Sequence, residues 1–119
     1  MKDLAPQVFR QRLLIEAYYG AAMSRESLEA FMNGLAARLG LRAYGAPAIF
    51  SPGSAASGQN QGFDAFLPLA DSGISAYVWT GARFISVLLY TCKPFDARLA
   101  VEHLRATLEV AGEVESAAF

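Results

Sequence analysis

Along residues 12–19, RLLIEAYY, Leu13, Ile15, Ala17 and Tyr19 fall on one face of an extended chain, and Leu14, Glu16 and Tyr18 on the other. That alternation predicts a strand, closed by Gly20. The period then lengthens: Leu28, Phe31, Met32, Leu35 and Leu39 follow i, i+3, i+4, i+7, i+11 and make one stripe on a helix. Ser24 is the expected N-cap, Glu26 complements the positive end of the helix from its first turn, and Gly40 is the expected stop. Residues 41–50, LRAYGAPAIF, read as a weaker strand interrupted by Gly45 and Pro47. SPGSAASGQNQG (51–62) reads as a flexible loop, small and polar with no apolar period.

Three strand-like runs come next: 63–70 (FDAFLPLA), 72–80 (SGISAYVWT) and 83–92 (RFISVLLYTC). In the last, Ile85, Val87 and Leu89 alternate with Phe84, Leu88 and Tyr90, so both faces are apolar, as expected of a central strand covered on two sides. Asp96 is placed to cap a second helix with the stripe Ala97, Ala100, Val101, Leu104 and Leu108, ended by Gly112, and 113–118 can form a short last strand. The order is β-α-β-β-β-β-α-β, an α+β chain in which helices can cover one sheet face and leave the other for a second layer.

Composition narrows the function classes. A chain of 119 residues supports one domain, here residues 1–119, because about two thirds of its surface is buried on folding at this size. Ten basic residues against eleven acidic ones leave a net charge of -1, which excludes the broad basic footprint of a nucleic-acid binder. One cysteine excludes an intrachain disulfide framework and a Cys-rich zinc site, and no metal site is expected. No run approaches the ~18 apolar residues of a membrane span, and MKDLAPQVFRQR lacks the apolar core of a signal peptide, so a cytoplasmic protein without a membrane partner is expected. A hydrophobic content of 54% in so short a chain also points to apolar surface buried against another subunit.

Few residues offer chemistry. His103, the sole histidine, lies off the apolar stripe of the second helix and reads as a solvated surface residue. The 51–62 loop lacks the lysine of a P-loop and any GxGxxG, and reads as a connector. Tyr18 and Tyr19 read as core and interface aromatics, and Cys92, taken alone, as a buried small hydrophobe. Composition, periodicity and spacing by themselves stop at a soluble α+β domain.

One segment goes further. LADSGISAYVW (69–79) followed by FISVLLYTC (84–92) resembles the centre of the prokaryotic S-adenosylmethionine decarboxylases. The pattern there is L-x-E-S-H-[aliphatic]-S/T-[aliphatic]-H-T-W-P-E, with a Thr-Cys pair thirteen residues beyond the Trp, and Trp79 to Cys92 has that spacing. RLLIEAYY is similar to the family's first strand and FDARLAVEHLRATLEV to its last helix. The resemblance implies a two-layer α/β sandwich, an antiparallel sheet backed by two helices, in a protein that pairs as a homodimer. Relatives cut themselves at a Glu-Ser bond and convert the Ser to a pyruvoyl group, the electron sink for decarboxylation. The matching bond is Asp71–Ser72, with Ser72 as pyruvoyl precursor, Cys92 at the proton-donor position and Asp71 at the carboxylate that contacts the ribose. Phe50 is the nearest candidate for the aromatic that stacks on adenine.

The departures bear on activity. The processing Ser eight residues before the cleavage Ser is Asp64, the His following that Ser is Gly73, and the His five residues after it is Tyr77; the final Pro-Glu is Thr80-Gly81. An ionised Asp64 cannot donate a hydrogen bond to a developing oxyanion. A phenol with a pKa of about 10 is a poor base at neutral pH, where an imidazole near ~6.5 is well matched. The chain is therefore expected to stay whole, with no cofactor, and to bind S-adenosylmethionine or a related metabolite as a sensor, pseudoenzyme or pyruvoyl-independent lyase in which Asp64, Asp71, Tyr77 and Cys92 are the residues to test. Two other readings stand beside it. One is an active pyruvoyl-dependent decarboxylase of S-adenosylmethionine, for spermidine synthesis, or of an amino acid. The other is a protein-binding domain that keeps the family's residues as relics.

Overall fold

In the computed structural model, residues 1–51 and 61–119 are described. They form β1 (Gln11–Tyr18), α1 (Arg25–Arg38), β2 (Ala48–Phe50), β3 (Phe63–Leu69), β4 (Ser72–Trp79), β5 (Phe84–Thr91), α2 (Ala97–Thr107) and β6 (Val114–Ala118). The six strands make one antiparallel sheet in the order β2-β3-β4-β5-β1-β6. Element order and fold class agree with the sequence pattern. The weak 41–50 segment condenses to the three residues of β2 and a single bridge, Ala43 to Leu69. Residues 52–60 of the expected loop lie outside the described residues.

Alternation along each strand sets the core. Leu13, Ile15, Ala17, Leu67, Ile74, Ala76, Val78, Ile85, Val87 and Leu89 are buried against Leu28, Phe31, Met32, Leu35, Ala100 and Leu104 of the helices, in one continuous cluster. The two helices pack on each other over this face. β5 is central, as its composition requires, but the chain covers only one of its sides: Phe84 and Leu88 are half-buried and Tyr90 is exposed.

Both helices start as the sequence indicates. The Ser24 hydroxyl accepts from the Ser27 backbone N–H at 3.1 Å and the Ser27 hydroxyl accepts from the Ser24 N–H at 2.8 Å, a reciprocal capping box. Asp96 accepts from the Arg98 N–H at 2.9 Å. Their ends differ from each other. α1 closes at Gly40, whose φ of 70° allows the Leu41 N–H to reach the Ala36 carbonyl at 2.9 Å. α2 does not run to Gly112: Glu109 takes the left-handed position with φ 52°, and the Val110 N–H bonds the Arg105 carbonyl at 3.0 Å. Burial of Val110 enforces the turn there and overrides the usual preference for glycine.

His103 also departs from expectation. It is half-buried between the helices, its ring 5.6 Å from that of Phe31 and its Nε2 3.3 Å from the Phe31 carbonyl oxygen. Gly34 makes room for it, since a Cβ there would lie 3.0 Å from His103 Cε1. Burial holds the imidazole below its ordinary pKa, with the positive charge of Arg38 acting in the same direction and the Phe31 carbonyl against it.

Candidate functional site

The β3–β4 hairpin end of the sheet, together with its face away from the helices, carries the chemistry. β3 and β4 are joined by a two-residue turn, Ala70-Asp71, with Leu69 opposite Ser72 and Asp71 at a φ of 54°. Tyr44 N–H to the Pro68 carbonyl (3.0 Å) and Ala70 N–H to the Arg42 carbonyl (3.3 Å) hold the turn from the α1–β2 segment. β5 brings Cys92 alongside. Its backbone N–H donates to Ser72 Oγ at 3.0 Å, and its Sγ lies 2.9 Å from the Asp71 carbonyl oxygen, a distance at which the thiol proton is donated to that oxygen. Asp71, Ser72 and Cys92 thus meet at one point although twenty residues separate the last two. Cys92 is half-exposed, so its reading as a buried hydrophobe is corrected.

Asp71 and Ser72 border a shallow cavity of about 290 Å³, with Gly73, Ser75, Leu88, Phe66 and Tyr90 as its other walls. The Phe66 ring packs directly over Gly73. A Cβ at Gly73 would come within 2.6 Å and 2.8 Å of two atoms of the Phe66 ring, far inside van der Waals contact. The ring occupies the volume that any side chain at 73 would need.

Asp64 and Tyr77 are cross-strand neighbours, and Phe50 stands opposite Asp64, so these three form a row on the open face. Ser86 and Glu16 continue it, the Ser86 hydroxyl donating to the Glu16 carboxylate at 2.8 Å. This row is not beside Ser72: five residues of strand, roughly 16 Å, separate Tyr77 from Ser72 along β4. Six sequence-derived site residues therefore fall into two groups, Asp71–Ser72–Cys92 at the hairpin end and Phe50–Asp64–Tyr77 across the sheet. Sequence reading missed Phe66 and Tyr90 as cavity walls. The signal for Phe66 was the glycine at 73, which pattern alone does not connect with it.

A two-layer sandwich with one bare sheet face and a Ser-initiated hairpin strand facing a Cys is the architecture of a small α+β protein with a site at the sheet end. The family profile for S-adenosylmethionine decarboxylase matches residues 11–117, and the chain belongs to that family. In structure it is similar to the adenosylmethionine decarboxylase of Aquifex aeolicus VF5, with a TM-score of 0.72 and 18% sequence identity over 94% of this chain and 89% of that one. At that identity the likeness establishes the fold. No curated protein matches the chain by sequence.

Proposed function

We propose that this protein is a family member that remains a single polypeptide and binds S-adenosylmethionine or a related metabolite without acquiring a pyruvoyl group. The observation that carries the reading is the position of the only imidazole. His103 is wedged between α1 and α2 with Phe31, Gly34 and Thr107 as neighbours, none of them a residue that borders the Asp71–Ser72 cavity. Conversion of a serine ester to a pyruvoyl group needs a base for the α-proton, and among the described residues the groups near Ser72 are a carboxylate, a thiol and aromatic rings, with no imidazole. Tyr77 is a phenol at a distance. The lack of an imidazole there supports a chain that stays whole, and a second copy adds only the same His103 held between its helices.

One feature favours the second reading, an active decarboxylase cut at Asp71–Ser72. The Cys92 thiol polarises the Asp71 carbonyl, and the Ser72 hydroxyl is held next to it. Intact-mass measurement under denaturing conditions separates the two. One chain of 12.8 kDa supports the proposal, and two fragments with a pyruvoyl-blocked second chain overturn it. Binding is read in the same preparation: a ligand that engages only the folded state raises the melting midpoint, by the equivalent of about 2.7 kcal/mol at a hundredfold excess over Kd.

The open face supports association of two copies. Tyr18, Phe50, Phe66, Tyr77 and Tyr90 are each 41–68% exposed on it, an apolar area that a lone soluble domain rarely presents.

A further inference from the structure

Resting on the proposal that two copies associate through the open sheet face, we infer that Arg12 of each copy docks between Glu16 and Glu115 of the other, a charge match that fixes how the two faces superpose. Leu14, Leu88, Ser75 and Phe66 are successive cross-strand partners and make one row across β1, β5, β4 and β3. A two-fold axis lying in the face along that row lays each strand of one copy over the same strand of the other, reversed in direction. Arg12 and Glu16 stand two residues to either side of Leu14, about 7 Å each way, so the rotation carries each onto the other. Leu14 and Leu88 then meet their own counterparts.

Within one copy the charges on this face are unmatched. Glu16 and Glu115 are directly opposite each other on β1 and β6, where like charges are destabilising. Among the described residues no cation pairs with either carboxylate, and Glu16 accepts from the Ser86 hydroxyl at 2.8 Å. With Tyr18, Phe84 and Glu113 they border a cavity of about 400 Å³. Arg12 is the complement. Among the described residues it has no carboxylate at ion-pair distance, because Asp3 is taken by Arg10. Its guanidinium lies over the Phe119 ring, 5.3 Å from the centroid, on the β6 side of β1. Phe119 follows Ala118, the partner of Leu13, so it stands beside Arg12 as Glu115 stands beside Glu16. The rotation that brings Arg12 over Glu16 therefore brings its guanidinium over the gap between the two carboxylates. Facing sheets lie about 10 Å apart, a separation that an arginine and a glutamate span together. Desolvated there, a guanidinium between carboxylates satisfies charges that would otherwise be covered unpaired.

The test uses the reciprocity of a two-fold contact. In sedimentation equilibrium the wild-type protein is expected to dimerise. Self-association of Arg12→Glu alone, or of Glu16→Arg alone, is expected to be weaker by about 30-fold or more, because each variant sets like charges against each other twice. An equimolar mixture of the two variants is expected to recover most of the lost association, since each chain then meets the opposite charge at both contacts. A variant that had merely lost its fold would not be rescued by mixing. In the unmodified protein, isotope-filtered NOEs between labelled and unlabelled chains are expected to join the side-chain protons of Arg12 and Glu16, which decides the register even where a variant does not fold. Single variants that dimerise like wild type, a mixture no tighter than its components, or no Arg12–Glu16 NOE between chains overturns this contact and leaves association through the face standing. A wild-type protein that sediments as a monomer overturns both.

Discussion

Backbone conformation at single residues makes the first prediction. Glu109 terminates α2 in the left-handed region, where an L side chain is strained and glycine is not. Glu109→Gly is expected to stabilise the fold by about 0.5–1 kcal/mol in urea denaturation, while Gly40→Ala at the equivalent position of α1 destabilises it by a similar amount. An unchanged midpoint for Glu109→Gly would show that the turn is not strained. The sequence pointed to Gly112 because composition flags a glycine but cannot weigh burial of Val110 against the strain at Glu109. Ser24, Asp96 and Gly40 were legible because a cap is a local bond between residues two to five apart. Cys92 was misread without the family resemblance because its partner, the Asp71 carbonyl, is twenty-one residues away.

Pairs of elements carry the next two predictions. In the β3–β4 hairpin, Gly73→Ala forces a methyl into the Phe66 ring and is expected to cost about 1–3 kcal/mol, the range for overpacking. Adding Phe66→Ala should recover most of that loss, giving a strongly non-additive double-mutant cycle. Additive effects would mean that the ring moves aside freely. Between α1 and α2, His103 is held neutral by burial, so its folded pKa lies below the unfolded value of about 6.5. The unfolded chain then binds the proton more readily between those two values. This contribution to stability is complete above pH ~6.5 and is lost as pH falls through the lowered folded pKa. The acid-side slope of stability against pH should diminish in His103→Gln, and an identical slope in the variant would exclude His103 as its source. Strand and helix identities were plain in the sequence because periodicity is a property of one element. The contact of His103 with Phe31 was not, since it spans 72 residues and depends on how two helices cross.

For the whole molecule, the bare sheet face predicts self-association. Leu88 lies near its middle, half-buried and flanked by Leu14 and Ser75 on the neighbouring strands. Leu88→Glu is expected to shift sedimentation from dimer to monomer without loss of folded signal, and a wild-type protein that sediments as a monomer would remove the proposed association. The two apolar faces of 83–92 and the hydrophobic content pointed to a second covering surface, but which residues would meet that face was not legible, because a sequence records apolarity and not what meets it. Strand order has a practical consequence of its own. Residues 1–71 supply β1, β2 and β3, residues 72–119 supply β4, β5 and β6, and β1 is threaded between β5 and β6 while β3 lies against β4. Scission between the two halves would leave them interlocked by three seams of backbone hydrogen bonds, β3–β4, β5–β1 and β1–β6. A nicked molecule would elute, scatter and sediment like an intact one, so native size is blind to the event and only an unfolded sample can report it.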